Sequence, residues 1–471
     1  MSRLSAWKKA SAVILLCAAT AIAAPAQTYT KLMSFNGNTA AGPMTPLTQG
    51  IDGALYGTTY YGGTGKCSDG QGIGCGIVFR LTRNGQFQVL YNFLESGSSY
   101  PANSLVLGGD GNLYGTAIAG NGTIFEITAA GKFTTIYQFT GGPGGSQLSG
   151  GLTLGIDGNF YGTTYDGGTP SNSCPGGCGT IFKMTPSGVL TTLYSFCPQN
   201  YCPDGENPNG PLVQEFDGNF YGTARNGGLY KAGTAFEISP SGNFRLLYTF
   251  SNAQPIPGGL ILASDGNFYG AVQYHLYRLS PQGVITFLPQ FFPTGWSDPS
   301  LPIQGTDGNL YGTLQIGPAG DNLGGIFQEP LAGQDTILYS FAGYPNDGSN
   351  PQSALVQRTD GTFYGVTFAG GSSPCNYSLP GCGTVFSLDM GLSPFVAFVH
   401  AAGKVGQTGG ILGQGFTGTS SVSLNGTPAT FTVISDTFIK ATVPAGATTG
   451  YVTVTTPAGT LASNVPFHVL K

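Results

Sequence analysis

The amino-acid sequence predicts an all-β protein, in which a seven-bladed β-propeller closed by its N-terminal strand is followed by an immunoglobulin-like β-sandwich. Three observations predict this fold. A phrase that contains Asp-Gly and Tyr-Gly occurs seven times at intervals of 42 to 60 residues, a period typical of propellers and other repeat arrays. Short β-rich runs separated by glycine, proline, asparagine and aspartate fill each interval. Residues 391–471 lack the phrase and alternate apolar with polar residues, as a small sandwich does.

The third repeat shows four strands, which we call A to D. Its four segments are GGLTLGIDG (150–158), NFYGTTYDGG (159–168), GTIFKMTPSG (179–188) and VLTTLYSF (189–196). Asp-Gly between two such runs is typical of a hairpin. Adjacent apolar residues such as Phe160 and Tyr161 indicate a sheet that is buried on both faces. The glycine after each repeat tyrosine suits a position that a neighbouring backbone approaches closely.

The number of D strands predicts how the ring closes. Six repeats contain a phrase such as TLYSF (192–196), but none follows GTVFSLD (383–389) in the seventh repeat. The missing copy, YTKLMSF (29–35), stands near the N-terminus. We therefore expect the first strand to pair with the last repeat, which removes an open sheet edge.

The first 26 residues have the pattern of a secretory signal peptide. Arg3, Lys8 and Lys9 precede an apolar run over 10–24, and Ala24-Pro25-Ala26 offers a cleavage site. A lipoprotein signal at Cys17 is the alternative, but Leu16 is larger than the residue such a site needs. We expect a secreted or cell-surface protein with a signal peptide at 1–26, a propeller at 27–390 and a sandwich at 391–471.

Eight cysteines remain after the signal, in four close pairs. An even number of cysteines in an exported chain predicts disulfides. The expected pairs are Cys67–Cys75, Cys174–Cys178, Cys197–Cys202 and Cys375–Cys382. A zinc site built from Cys174, Cys178, Cys197 and Cys202 is the alternative, since two cysteine pairs also have metal-like spacing. Export and the lack of a nearby histidine favour disulfides, so we expect no metal.

Composition excludes several classes of protein. The net charge of −5 without a basic cluster argues against nucleic-acid binding. No second apolar run is long enough to span a membrane. Charged residues are scarce at 8% while aromatic residues reach 12%, which suits a large core rather than a disordered chain. We expect a monomer.

The repeats resemble the GloVer (Gloeo-Verruco) tandem repeats of exported bacterial proteins. The matching phrases are DGNFYGTT, the Gly-Gly after it, GTIFKMT and TLYSF, over residues 28–389. The strand order is also similar to that of quinone-enzyme propellers, whose docking tryptophans are missing here, so we expect no cofactor. The tail resembles an IPT/TIG domain in GKVGQTGGILGQGF (403–416), VSLNGTPATF (422–431), VPAGATTG (443–450) and VTTPAG (453–458). That resemblance implies a spacer or binding module of a surface protein.

The seven repeat aspartates are interpreted as turn residues rather than as a ring of ligands. A residue present in every repeat serves what every repeat needs, and aspartate before glycine bonds to the turn backbone. These residues are Asp52, Asp110, Asp157, Asp217, Asp265, Asp307 and Asp360. His275, at the start of a C strand, is interpreted as a structural residue. The sequence contains no hydrolase, metalloprotease or nucleotide-binding motif, and we assign no catalytic residue.

Loop variation indicates the binding face. The B–C and D–A loops differ among repeats and carry all the cysteine pairs, and variable loops on a rigid scaffold are where binding usually resides. The candidate ligand-binding residues are Tyr61, Asp69, Tyr165, Asp166, Tyr201, Asp204 and Glu206. The loops CPDGENPNGPL (202–212) and PNDGSNPQSAL (345–355) could offer oxygens to calcium. Their spacing is not that of an EF-hand, so we interpret them as turns.

Three hypotheses for the function follow. The first is a non-catalytic binding or adhesion scaffold at the cell surface, with a carbohydrate or peptide ligand. The second is a polysaccharide-active hydrolase or lyase that uses carboxylates of the loops. The third is a structural spacer.

Overall fold

The structure is a computed structural model that describes residues 27–67, 74–94, 99–251, 258–288, 295–331, 335–375 and 380–470. The predicted signal peptide and Asp69 lie outside these residues. The described chain is almost entirely β-structure, with a single turn of 3-10 helix at Gly142–Gly144. Within it, no helix has the length and apolar character needed to cross a membrane.

Seven antiparallel sheets, numbered 1 to 7 after their repeats, occupy the described part of the repeat region. Each has four strands in the order A-B-C-D, and strand A is split in sheets 3 and 6. The A strands are Thr48–Gln49, Val106–Leu107, Ser146–Leu148 with Thr153–Leu154, Glu206–Gln214, Leu260–Leu262, Ser297–Pro299 with Ile303–Gln304, and Val356–Gln357. The B strands are Leu55–Thr59, Leu113–Ala117, Phe160–Asp166, Phe220–Asn226, Phe268–Val272, Leu310–Ile316 and Phe363–Thr367.

Strands C and D complete each sheet. The C strands are Ile77–Leu81, Thr123–Ile127, Thr180–Met184, Thr234–Ile238, His275–Leu279, Gly325–Glu329 and Thr384–Asp389. The D strands are Phe87–Asn92, Phe133–Gln138, Leu190–Ser195, Phe244–Thr249, Ile285–Phe287, Thr336–Ser340 and, in sheet 7, the N-terminal strand Thr28–Ser34. A short pair, Gly348–Ser349 with Ala369–Gly370, lies beside sheet 7.

The N-terminal strand occupies the position expected from the sequence. It pairs antiparallel with the last C strand, from Thr28 opposite Asp389 to Ser34 opposite Thr384. The Tyr29 hydroxyl donates a hydrogen bond to Asp347 at 2.7 Å, and the Tyr29 ring stacks on Tyr339 of sheet 6. The two ends of the repeat region are therefore joined by backbone pairing and by side-chain contacts.

Neighbouring sheets share apolar cores, because the repeat tyrosine of one sheet packs on the next. Tyr161 stacks on Phe220 at a centroid distance of 3.9 Å, and Tyr221 stacks on Phe268 at 4.2 Å. Sheet 7 in turn shares a core with sheet 1, in which Val385 and Phe79 lie in one buried cluster. Each of the seven sheets thus packs on its neighbours along the chain, and the last packs on the first.

The glycine after each repeat tyrosine has a different cause from the one predicted. A Cβ at Gly57 would lie 2.5 Å from the ring of Phe79, and a Cβ at Gly115 would lie 2.5 Å from the ring of Phe125. The phenylalanine, which is replaced by Tyr277 in sheet 5, belongs to strand C of the same sheet, so a side chain rather than a neighbouring backbone excludes the Cβ. The Tyr-Gly phrase and the phenylalanine of strand C are therefore one packing unit.

The C-terminal residues form two four-stranded sheets around a core of their own. The first contains Ala397–Phe398, Thr408–Leu412, Phe438–Thr442 and Phe431–Ser435, and the second contains Thr427–Pro428, Ser421–Leu424, Val452–Thr456 and Gly459–Ala462. A parallel pair joins Ala402–Lys404 to His468–Leu470. Phe416, Ile439 and Val454 are fully buried between the sheets, which gives this region its own apolar centre.

Candidate functional site on the loop face

The A–B and C–D turns lie at one end of the sheets, which we call the turn face. Each of the seven repeat aspartates accepts a hydrogen bond from the backbone N–H two residues later. In five repeats the same carboxylate also accepts a bond from the repeat tyrosine hydroxyl, as Asp157 does from Tyr161 at 2.9 Å. These carboxylates are engaged in holding the turns.

The C-terminal sheets pack against the turn face. Thr437 donates from Oγ1 to the carbonyl of Ile51 at 2.7 Å, and Gln414 donates to Thr359 at 2.9 Å. Arg83 donates to Gln414 at 3.0 Å, while Leu412 and Phe438 join the buried core of sheets 1 and 2. Around these repeats the turn face is therefore covered.

The B–C and D–A connections lie at the opposite end, which we call the loop face. All four predicted disulfides are present there, Cys67–Cys75, Cys174–Cys178, Cys197–Cys202 and Cys375–Cys382. Because each bridge closes a connection between strands and leaves the strands themselves free, the disulfides stiffen loops rather than sheets.

A cavity of about 260 Å³ opens where the A strands begin. Every repeat contributes to its lining, through residues that include Thr45, Asn103, Ser149, Asn209, Gly259, Leu301 and Ser353. The lining is made of small, apolar and uncharged polar residues, with no charged side chain among the described ones. Because equivalent positions of seven repeats meet here, the cavity lies at the common centre of the sheets. We call it the central cavity.

Ser353 has a buried hydroxyl without a partner in this lining. Its side chain is 3% exposed, and its Oγ makes no hydrogen bond within the described structure. In repeat 1 the equivalent residue, Thr45, bonds to Thr58 of strand B at 2.9 Å. In repeat 7 that strand-B position is Val366, which offers no hydroxyl. The unpaired Ser353 hydroxyl therefore follows from one change in the repeat pattern, and a buried unpaired hydroxyl is costly.

Repeat 5 opens a second cavity of about 360 Å³ beside the first, which we call the side cavity. Its B and C strands are joined by only Gln273 and Tyr274, whereas residues 167–179 join those of repeat 3. Ala271 also replaces the threonine of strand B. The short B–C connection and the small side chain of Ala271 together leave the space of the side cavity.

Asp298 supplies a carboxylate to the side cavity. Its φ of 54° lies in the left-handed region, and its backbone N–H donates to the carbonyl of Gln273 at 2.9 Å. Burial raises the pKa of the Asp298 carboxyl above its ordinary value. The equivalent residues Tyr100, Gln147, Asn207 and Asn350 have φ values of 55° to 60°, so this backbone conformation belongs to the repeat and the carboxylate is what distinguishes Asp298. Asn209, Gly259 and Leu301 line both cavities, which are therefore adjacent.

The predicted ligand-binding residues fall into two neighbourhoods rather than one. Tyr165 and Asp166 were expected in a loop, but strand B of sheet 3 continues through Asp166, because Asp166 pairs with Ser146 of strand A. The carbonyl of Tyr165 accepts a bond from Asn207 at 2.9 Å. This links Tyr165 to the connection that carries Tyr201, Asp204 and Glu206. Tyr61 instead packs against the core between sheets 7 and 1.

The three residues of that connection differ in environment. Tyr201 is 81% exposed. Asp204 accepts bonds at Oδ2 from the Tyr194 hydroxyl at 2.9 Å and the Cys197 N–H at 3.0 Å, so it fixes the loop. Burial raises the pKa of Asp204 and outweighs the opposing bond from Tyr194. Burial likewise raises the pKa of Glu206, whose carboxylate lies against the cysteines.

Sequence reasoning did not single out Ser353, Asp298 or Gln273. A signal for them was nevertheless present in the repeat phrase. Threonine follows Tyr-Gly in five repeats, but alanine (Ala271) follows in repeat 5 and valine (Val366) in repeat 7. Both departures mark the cavities, since each removes a hydroxyl that in other repeats bonds to a residue lining the central cavity, as Thr58 does to Thr45 and Thr116 does to Asn103.

The sequence profile of the Gloeobacter/Verrucomicrobia repeat matches residues 64–276 and 257–416. The chain belongs to this repeat family. The match confirms the resemblance of the repeats to this family. No curated protein sequence matches the chain.

Solved structures identify the fold as β-propeller-like. A streptogramin B lyase superposes with a TM-score of 0.52 and 15% identity over 77% of this chain and 97% of the lyase. The virginiamycin B lyase of Staphylococcus aureus gives 0.50 and 16% over 77% and 98%. A fungal alcohol oxidase with bound copper gives 0.51 and 12% over 94% and 99%. At these identities the likeness concerns the fold alone.

Proposed function

We propose that this protein is an exported, non-catalytic binding scaffold that holds a neutral, hydroxyl-rich ligand, a carbohydrate in the first instance, on the loop face of a seven-bladed β-propeller. The observation that carries the proposal is the central cavity. It is uncharged, it receives residues from all seven repeats, and it contains the unpaired hydroxyl of Ser353. A hydroxyl group of a ligand would complete that hydrogen bond, whereas a charged ligand would meet no opposite charge in this lining.

The architecture on which this rests has its own support. Seven sheets that pack in sequence, the last on the first, suit a ring of seven blades closed by the N-terminal strand. The separate core of the C-terminal sheets supports an IPT/TIG-like module over 391–471. The match to the fungal alcohol oxidase covers 94% of the chain and so extends beyond the repeats. Four disulfides are consistent with export by the predicted signal peptide at 1–26.

The position of the C-terminal module favours the loop face over the turn face. Contacts such as Thr437 to Ile51 and Gln414 to Thr359 occupy the turn face, where the repeat aspartates are already engaged. The central cavity, the side cavity and the exposed aromatic residue Tyr201 lie at the other end, whereas the spaces on the turn face are lined in part by His400 of the C-terminal residues. A module that covers one face and leaves the other open would present the open face to a ligand.

A polysaccharide-active enzyme is the second candidate, and Asp298 is the observation that favours it. This carboxylate lines the side cavity, and burial raises the pKa of its carboxyl, as in a general acid. A glycosidase needs a second carboxyl group within about 5–10 Å. Among the described lining residues of the two cavities, Asp298 is the one carboxylate.

The test is a glycan array followed by calorimetric titration of the best-bound oligosaccharide. Ser353→Ala and Gln273→Ala should each weaken binding about 5- to 30-fold, because each removes a polar contact worth about 1–2 kcal/mol. Tyr165→Ala with Asp166→Ala tests the outer loop residues in the same way. Asp307→Ala is the matched control, since it removes a turn carboxylate from the opposite face and should leave affinity unchanged.

Release of reducing ends from the same polysaccharides separates the two candidates. Binding without cleavage supports the scaffold, and cleavage that is lost in Asp298→Asn supports the enzyme. Binding that is abolished by Asp307→Ala and retained by Ser353→Ala would place the ligand on the turn face and refute the proposed site.

A further inference from the structure

Two of the four disulfides share one site. Cys174 and Cys178 lie in the B–C connection of sheet 3, while Cys197 and Cys202 follow its D strand. All four sulfur atoms lie within 4.8 Å of one another, and Cys178 Sγ is 3.9 Å from Cys202 Sγ across the two bridges. Cys178, Cys197 and Cys202 are at most 2% exposed. Elsewhere in the described chain, neither of the other two disulfides belongs to such a cluster.

The spacing between the bridges already suits a metal ion. Zinc binds thiolates at about 2.3 Å in a tetrahedron, which places the sulfurs about 3.8 Å apart. The contact between Cys178 and Cys202 has this length. After reduction, the two sulfurs of each former disulfide would have to move apart until they too are about 3.8 Å from each other. The loops already hold all four cysteines around one centre.

Glu206 places a carboxylate oxygen beside the sulfurs, and the positive charge of Lys231 is nearby. Its Oε2 lies 3.4 Å from Cys174 Sγ, 3.5 Å from Cys202 Sγ and 3.8 Å from Cys178 Sγ. A disulfide sulfur carries no proton to donate, so the oxidised cluster offers this carboxylate no hydrogen bond. A metal ion between the sulfurs would bring positive charge to that oxygen, and carboxylate oxygen is itself a zinc ligand.

The backbone around the cluster is held in an unusual conformation. Cys197, Tyr201 and Cys202 have φ values of 59°, 70° and 48°, a region that costs free energy for residues other than glycine. The Asp204 carboxylate accepts the Cys197 N–H at 3.0 Å and fixes the loop. Such outer partners orient metal ligands in known sites.

We propose that Cys174, Cys178, Cys197 and Cys202 form a single zinc site in the reduced chain, with Glu206 beside it, and that the two disulfides are the oxidised form of the same site. Each disulfide takes up two electrons and two protons from a dithiol reductant, which itself becomes a disulfide. The four thiols then bind one Zn²⁺ through sulfur and release their four protons. This inference is independent of the ligand proposed for the cavities.

The test uses the purified full chain, reduced with a phosphine and freed of reductant without oxygen. Titration with Co²⁺ should give one bound ion per chain and the absorption of cobalt bound to thiolate sulfur, and Zn²⁺ should displace it. Cys174→Ser with Cys178→Ser should abolish this signal. Cys67→Ser with Cys75→Ser, which removes a solitary pair, is the matched control and should keep it.

Glu206→Gln should weaken the metal affinity about 10- to 100-fold, the usual effect of losing an outer partner. If circular dichroism shows that the double variant does not fold, Cys174→Ser alone replaces it, because Cys174 is the half-buried cysteine of the four. A folded, reduced chain that binds no Co²⁺ or Zn²⁺ would overturn the proposal. So would a metal affinity and a cobalt spectrum that are both unchanged in Cys174→Ser, or binding that disappears in the Cys67 and Cys75 control.

Discussion

Glu329 places a carboxylate in a position where the other repeats have an apolar residue. It ends the C strand of sheet 6, is 4% exposed and pairs with Leu310 of strand B. Its Oε2 has no hydrogen-bond partner within the described structure. The equivalent residues in the other repeats are Leu81, Ile127, Met184, Ile238, Leu279 and Leu388. We therefore expect Glu329 to destabilise the fold whenever it is ionised.

The size of the effect follows from its pKa. Burial, and to a smaller extent the charge of Asp335, raise the pKa of Glu329 from 4.5 to about 8. One step of pKa corresponds to about 1.36 kcal/mol, so the ionised side chain costs the native state about 5 kcal/mol at most. The native state binds more protons than the unfolded chain between pH 4.5 and 8. The free energy of unfolding should therefore fall as the pH rises through this window and level off above it.

The assay is the urea midpoint of the wild type and of Glu329→Gln between pH 4 and pH 9. The glutamine variant cannot ionise, so its midpoint should exceed that of the wild type by a margin that grows with pH. Burial lowers the pKa values of His400 and His468 below 6.5, so both also titrate in this pH range. Because both proteins retain these histidines, the difference between the two profiles isolates the effect of Glu329. Glu329→Leu, which restores the residue type of the other repeats, should be at least as stable as Glu329→Gln at pH 8. Parallel wild-type and glutamine profiles would refute the reasoning.

Two further predictions concern the scaffold. Phe35→Ala should lower the free energy of unfolding by about 3–5 kcal/mol, because Phe35, directly after the N-terminal strand, is 2% exposed and packs between sheets 7 and 1. Leu32→Ala, within the strand but 37% exposed, is the control. Equal losses of urea midpoint would contradict a closing role for this segment. Asp157→Ala should cost about 0.5–1.5 kcal/mol with unchanged ligand affinity. Burial would raise the pKa of Asp157, but the hydrogen bonds from Lys183 at 2.7 Å and from Asn159 lower this pKa overall. The wild type should therefore lose its advantage in urea midpoint as the pH falls below about 4. An advantage that persists at pH 2 would contradict this prediction.

The sheets could be predicted because each repeat carries its fold in local signals. Asp-Gly fixes a turn, Tyr-Gly with the phenylalanine of strand C fixes one packing unit, and the count of D phrases identifies the N-terminal strand as the missing partner. The disulfides were predictable for the same reason. Each bridge joins cysteines at most eight residues apart, so no knowledge of the distant chain was needed.

The candidate site was harder to predict because it depends on contacts between distant segments. The central cavity collects one short stretch from each repeat, and its lining residues are unremarkable when read singly. The gathering of Cys174 with Cys202, and of both with Glu206, requires knowledge of how two loops of sheet 3 meet. The packing of Gln414 and Thr437 on the turn face joins residues more than 300 positions from some of their partners, such as Arg83 and Ile51.

The proposed binding site depends on the positions at which repeats 5 and 7 differ from the other repeats. In seven identical repeats, every buried hydroxyl would have the same hydrogen-bond partner. No polar group would then be left unpaired for a ligand. Repeat 7 replaces threonine with Val366 and leaves Ser353 unpaired, while repeat 5 loses both a loop and a side chain and opens the side cavity beside Asp298. Each change costs packing or a hydrogen bond without a visible return in stability. Both changes border the same pair of adjoining cavities on the face that the C-terminal sheets leave free, which is where a bound molecule would restore what the scaffold has lost.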